Sequence, residues 1–127
     1  MTTQQTFRID VHHHFMSSEY VAALAKIGVT GAGGEDFPDW SPEQSLAMMD
    51  RQGIATAVLS LSAPGVFFDD RGLARHLARI TNEFAARIVS NAPRRFGFFA
   101  TLPLPDVDDA LRELEYVTDT LHADGVI

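Results

Sequence analysis

Apolar and polar positions alternate over residues 7 to 12, where Phe7, Ile9 and Val11 interleave with Arg8, Asp10 and His12. A period of two predicts a strand with two unlike faces, because successive side chains leave a pleated backbone on opposite sides. Ser17 and Ser18 then offer N-caps, and EYVAALAKIG predicts a short helix ending near Gly28. GVTGAGGEDFPDW, residues 28 to 40, is glycine-rich with one proline and predicts a loop. Ser41 opens the next helix. Pro42 suits the first helical position, Gln44 completes an S-x-x-Q capping box, Leu46 and Met49 lie a turn apart, and Gly53 ends the helix. IATAVLSLS, residues 54 to 62, is nearly continuous apolar sequence, the pattern of a parallel strand buried on both sides.

The period then changes. From about 70 to 91, Leu73, Leu77, Ile80, Phe84 and Ile88 recur every three or four positions and form one helical stripe, closed by Pro93. RFGFFATL (95 to 102) predicts a strand and PLPD a turn. Asp106 or Asp108 can cap a last helix that places Val107, Leu111, Leu114, Val117 and Leu121 on one face and ends at Gly125. GVI begins another apolar run. The order β-α-α-β-α-β-α-β predicts an α/β fold of parallel strands with helix crossovers. No repeat of fixed period and no low-complexity tract divides it, so residues 1 to 127 are expected to form one domain.

Composition narrows the chemistry. The chain has 127 residues, 46% hydrophobic and 21% charged, which is a globular composition. Its formal net charge of −7 argues against a nucleic-acid groove, which needs clustered Lys and Arg. With no cysteine there is no disulfide framework and no thiol nucleophile, and any metal must be held by nitrogen and oxygen. No apolar run reaches the ~18 residues of a membrane span. The polar leader Met1 to Thr6 has no secretory pattern, so a soluble cytoplasmic protein is the default expectation.

IDVHHHF, residues 9 to 15, is the candidate site. On a strand, side chains two apart share a side at roughly 6–7 Å, so imidazoles from His12 and His14 can converge on one cation while His13 points away. Neutral imidazole suits zinc and its first-row neighbours. Phe7, Ile9 and Val11 are then expected to face covering helices, with Arg8, Asp10, His12 and His14 on the other side. In a barrel that side is the interior, and the two histidines would lie at its C-terminal mouth, where such barrels build active sites. The run can also be a purification-tag remnant, although tags sit outside the folded pattern, or ordinary strand-end histidines. Asp10 can orient a ligand histidine from beneath or pair with Arg8. Ser60 and Ser62 can line the mouth or only serve the turn. His76 and His122 fall on outer helices and are expected in solvent.

Taken together, these segments resemble the amidohydrolase superfamily, in particular the branch of aminocarboxymuconate-semialdehyde decarboxylase and related aromatic-acid decarboxylases. IDVHHHF resembles that branch's opening strand, with His12 and His14 in the place of its metal-ligand pair. MDRQGIATAVLSLSAPGV (49 to 66) is similar to its second strand and following loop. NEFAARIVSNAPRRFGFFATLPLPD (82 to 106) is similar to its second helix, third strand and third turn, and ALRELEYVTDTLHADGVI (110 to 127) to the third helix running into the fourth strand. The resemblance implies the N-terminal portion of a (β/α)8 TIM-type barrel, about its first three βα units and the start of strand 4, with one divalent metal, zinc by expectation. It also implies a chain more than twice as long, whose later strands supply two more histidines and an aspartate.

Elementary geometry agrees about size, since a closed barrel takes about 250 residues. A catalytic zinc site generally has about three protein ligands, and this sequence offers His12 and His14. The chain therefore reads as the N-terminal half of a longer enzyme, its catalytic residues expected beyond Ile127. The expected reaction is non-oxidative decarboxylation of a small aromatic or unsaturated carboxylic acid through a metal-activated water. Hydrolysis of a cyclic amide, lactone or ester is the alternative. A catalytically incomplete half-barrel that pairs with another copy as an assembly module is a third reading, and it leaves a homo-oligomer open. A doubly wound nucleotide-binding fold would need a glycine-rich turn directly after the first strand, where this chain has HHHFMSS.

Overall fold

The computed structural model describes residues 7–127; the polar leader, residues 1 to 6, lies outside the described residues. The elements run β1 (Arg8–Phe15), α1 (Ser18–Ala25), β2 (Gly31–Ala32), β3 (Glu35–Asp36), α2 (Pro42–Gln52), β4 (Ile54–Leu61), α3 (Arg71–Asn91), β5 (Phe96–Ala100), α4 (Val107–Asp119) and β6 (Gly125–Val126). Four strands pair in the order β1-β4-β5-β6, every pair parallel, with helices in the crossovers. This is the α/β arrangement that alternating strand and helix patterns predict.

The helix starts are written locally. Ser17 accepts from the Tyr20 N–H, Ser41 from the Gln44 N–H, Asp70 from the Leu73 N–H and Asp106 from the Asp109 N–H. Each bond satisfies a backbone donor that the first helical turn leaves without a partner. Gly53 takes the left-handed conformation, φ 67°, that ends α2 without the clash a Cβ would bring. β4 follows at once and is buried deeply towards its C-terminal end.

The main core lies between the sheet and helices α2, α3 and α4. It contains Phe15, Met49, Ala57, Leu59, Ala85, Ile88, Phe96, Phe98, Ala100 and Val117. A second cluster under α1 joins Tyr20, Leu24, Leu61, Val66 and Leu77. There the Tyr20 hydroxyl donates to the Gly65 carbonyl, and burial pushes its pKa up to about 12.

Three expectations are corrected. Residues 28 to 40 are not all loop: β2 and β3 form a short antiparallel hairpin across Gly33 and Gly34, both at positive φ. A two-residue turn of that hand accepts glycine readily because it suits the twist of paired strands. Phe7, Ile9 and Val11 do not face covering helices but are 85%, 64% and 61% exposed. β1 is an edge strand, and the described helices cover β4, β5 and only the C-terminal end of β1. The buried face of α4 is also not the expected apolar stripe. Val107 and Leu111 are exposed, whereas Asp109, Ala110, Glu113 and Val117 are buried.

The reason is a polar clasp between α3 and α4. Arg71 bonds Asp106 and Asp109, Arg75 and Arg112 also reach Asp109, and Arg79 makes a two-oxygen contact with Glu113. Buried Asn82 donates to Glu113 and to the Thr101 carbonyl, and accepts from the Thr101 N–H. Charges can be buried when opposite charges and hydrogen bonds replace lost water. The Arg71 hydrogen bond, working against burial and helped by the charges of Arg71 and Arg75, holds the Asp109 carboxyl down to about 2.

Candidate metal centre

β1 carries the candidate ligands, and its register decides where they go. Asp10 pairs with Ala57 but His13 with Leu59, so three steps on β1 oppose two on β4. The extra residue is a bulge, which re-aims side chains by breaking strict alternation. Beyond it, His14 pairs with Ser60 and Phe15 with Leu61.

The rings of His12 and His14 converge. Their Nε2 atoms are 2.9 Å apart and the rings meet edge to face at 4.5 Å. His14 Nδ1 lies 3.3 Å from the Ser60 carbonyl and 3.4 Å from the Ser60 hydroxyl; the carbonyl can only accept, so that bond takes an N–H on Nδ1 and leaves the Nε2 lone pair facing His12. A histidine that ligates a metal is commonly fixed in this way, through its other ring nitrogen. An ion bonded at about 2.1 Å to both nitrogens requires them less than ~4.2 Å apart. The pair therefore fits part of a divalent-metal ligand set. Among the described residues no group of three or more His, Cys, Asp or Glu side chains comes together to complete one.

Asp10 reaches neither ring. Its carboxylate accepts from the backbone N–H of His12 at 3.0 Å and from His13 Nδ1–H at 3.0 Å. It does not pair with Arg8, whose guanidinium donates instead to the Gln52 carbonyl. Both expectations for Asp10, orienting a ligand ring from beneath and pairing with Arg8, give way to this geometry, because the bulge brings the carboxylate to the His13 side. Burial raises the Asp10 pKa, but the His13 hydrogen bond, the His12 N–H and the histidine charges outweigh it, and the net displacement is downward.

His13 is buried and its Nε2 lies 2.8 Å from Ser45 Oγ, which also accepts from Trp40 Nε1–H at 3.0 Å. Trp40, Phe15 and Phe84 pack as an aromatic trio with centroids 5.9–6.1 Å apart. The sequence reading missed this cluster, since Asp10, His13, Trp40 and Ser45 carry no common spacing.

A cavity of about 320 Å³ opens beside the pair at the C-terminal ends of β1 and β4. His14, Phe15, Met16, Phe37, Trp40 and Ser62 line it, and the β2–β3 hairpin forms another wall. The hairpin wall was also missed, although the Gly33-Gly34 pair was a readable signal. Ser62 does line the mouth, and Ser60 serves it through its carbonyl. His76 and His122 are exposed, as expected. Among the described residues no helix is long and apolar enough to cross a membrane.

Residues 9–127 match the family model described as amidohydrolase. Decarboxylase yanB of Aspergillus niger is 45% identical over 124 residues, covering 94% of this chain and 33% of the relative. The 6-methylsalicylic acid decarboxylase acuB of Aspergillus aculeatus is 41% identical over 121 residues, covering 94% of this chain and 36% of that one. A crystal structure of a dihydroxybenzoic acid decarboxylase from a Polaromonas species, with bound manganese and the inhibitor 2-nitroresorcinol, is 31% identical. It superposes with a TM-score of 0.76 over 95% of this chain and 37% of that one. The chain thus spans about a third of the length of the curated relatives it matches.

Proposed function

The chain belongs to the amidohydrolase family, and from that premise we propose that it forms part of a metal-dependent decarboxylase of small aromatic carboxylic acids. His12 and His14 would hold a divalent ion at the barrel mouth, and the described residues form the first three βα units and the opening of the fourth strand within one barrel domain. The remaining ligands and the catalytic residues come from parts of that barrel this chain does not span. The observation that carries the reading is the convergence of the two Nε2 atoms, 2.9 Å apart, beside an aromatic-walled cavity at the strand ends. Relatives named as decarboxylases favour loss of CO₂ over hydrolysis of a cyclic amide, lactone or ester.

When bound, a divalent ion supplies Lewis-acid polarisation of a substrate oxygen and acidifies water. Zinc is the expectation from the imidazole pair and manganese is held by the solved neighbour; both accept nitrogen and oxygen donors. The chain's own residues do the rest of what is visible. Ser60 fixes the tautomer of His14, so that its lone pair faces the cation position. Phe15, Phe37 and Trp40 give the cavity an apolar wall that suits an aromatic ring.

Purified full-length protein, its metal content measured, should release CO₂ from 6-methylsalicylate or 2,6-dihydroxybenzoate. It should lose that activity in a chelator and regain it with zinc or manganese. His12→Ala and His14→Ala should each lose bound metal and turnover together. Undiminished turnover in the metal-free protein would overturn the reading, as would lactone hydrolysis without CO₂ release. A stable metal-free oligomer with no turnover would instead favour the assembly module.

A further inference from the structure

Behind the histidine pair lies a hydrogen-bond chain that the proposed chemistry does not use. Trp40 Nε1–H donates to Ser45 Oγ at 3.0 Å, the Ser45 hydroxyl meets His13 Nε2 at 2.8 Å, and His13 Nδ1–H donates to Asp10 at 3.0 Å. The other Asp10 oxygen accepts from the backbone N–H of His12 at 3.0 Å. An Asp–His–Ser series in this order is the arrangement that activates a serine nucleophile. That use is excluded here. Ser45 is only 6% exposed, does not line the cavity, and its oxygen already receives the indole N–H.

We propose that Trp40, Ser45, His13 and Asp10 are positioning residues that hold the His12 and His14 rings converged and tie the cavity wall to the metal rim. The inference rests on the reading of His12 and His14 as ligands. Three observations carry it. The chain begins at Trp40, which lines the cavity, and ends on the main chain of His12. His13, its middle member, lies between the two ligands, so its ring fixes the local backbone from which both project. The chain also crosses a bulge, where ladder pairing between Asp10 and His13 is interrupted and cannot itself set side-chain direction. The side-chain bond from Ser45 of α2 to His13 takes the place of the missing register.

The test uses the full-length protein and Mn²⁺, with free ion followed by electron paramagnetic resonance. Ser45→Ala removes the central hydroxyl and should weaken Mn²⁺ binding about tenfold, the lower end of what a lost supporting partner costs. Trp40→Phe keeps an aromatic ring but removes the N–H, and should weaken binding in the same direction; it serves if Ser45→Ala does not fold. Met49→Ala, buried in the same helix but outside the chain, should lower the melting temperature and leave Mn²⁺ affinity unchanged. Folded Ser45→Ala or Trp40→Phe proteins that bind Mn²⁺ within twofold of wild type (against that ~10-fold expectation) would overturn the inference. So would an equal loss in Met49→Ala, which would assign the effect to general loosening. If His12→Ala still binds Mn²⁺ at wild-type affinity, the ligand reading itself fails. If His12→Ala loses Mn²⁺ while Ser45→Ala does not, only the positioning role fails.

Discussion

Strands β1 and β5 both carry apolar residues at alternate positions and meet different fates. In β5, Phe96, Phe98 and Ala100 are buried beneath α3, and the strand is paired on both edges. In β1, Ile9 and Val11 stand in solvent, as does Phe7 just before it, and only His13 and Phe15 at its far end are buried. Alternation determines which residues share a face, but it does not say whether anything packs on that face. A neighbouring element must supply the cover, and among the described residues β1 has a strand partner on one edge only. The contrast extends to polar groups. The α3–α4 clasp beside β5 pairs its buried charges within the described residues, whereas His12 and His14 at the end of β1 have each other and the Ser60 main chain.

Substitutions can break this comparison. Phe98→Ala removes a fully buried ring and should cost about 3–5 kcal/mol of unfolding free energy in a urea titration; a loss below ~1 kcal/mol would show that the β5 core is not packed as described. Glu113→Ala leaves Arg79 and one N–H of buried Asn82 without an acceptor, Asn82 keeping its bond to the Thr101 carbonyl, and should cost roughly 2–4 kcal/mol, less if water reaches the half-exposed Arg79. Ser41→Ala strips the cap of α2 and should cost about 1 kcal/mol. Ile9→Ser, on the open part of β1, should stay within ~0.5 kcal/mol in the 127-residue chain. A cost of ~2 kcal/mol there would mean that another surface, such as a second copy, already covers β1.

Acid sharpens the same contrast. The folded pKa of Asp109, about 2, lies below its ordinary unfolded value of about 3.9. The group therefore contributes its full stabilisation above about pH 4 and loses it as pH falls towards 2. Thermal melts between these limits should show a decline that Asp109→Asn makes shallower, the remainder coming from groups such as Asp10 that are also held down on folding. An identical acid slope in the variant would place the sensitive group elsewhere.

Much of the fold is legible because its signals are local. Ser41, Pro42 and Gly53 bracket α2 by backbone chemistry that needs no distant partner, and the stripe from Leu73 to Ile88 defines α3 by period alone. The face of α4 was misread for the opposite reason. Val107 and Leu111 look like core residues, but Asp109 and Glu113 are drawn inward by arginines more than thirty positions away. Only a folded chain brings Arg71 and Arg79 opposite them. At the site, H-x-H spacing was enough to pair His12 with His14 across a strand, while the partners of Asp10 were not readable, because a bulge is a property of two strands in register.

The sequence by itself determined the order of the four helices and the four parallel strands, though not the β2–β3 hairpin, together with the helix caps and the two histidines that share a side, since each depends on groups a few residues apart. Tertiary structure alone decided that Asp10 serves His13, that Ser45 and Trp40 lie behind the pair, and that charged residues rather than leucines seal α4. The bonds of Ser45 to His13, of Arg71 to Asp109 and of Arg79 to Glu113 join residues more than thirty positions apart, and their energies exist only once the sheet has fixed the separations.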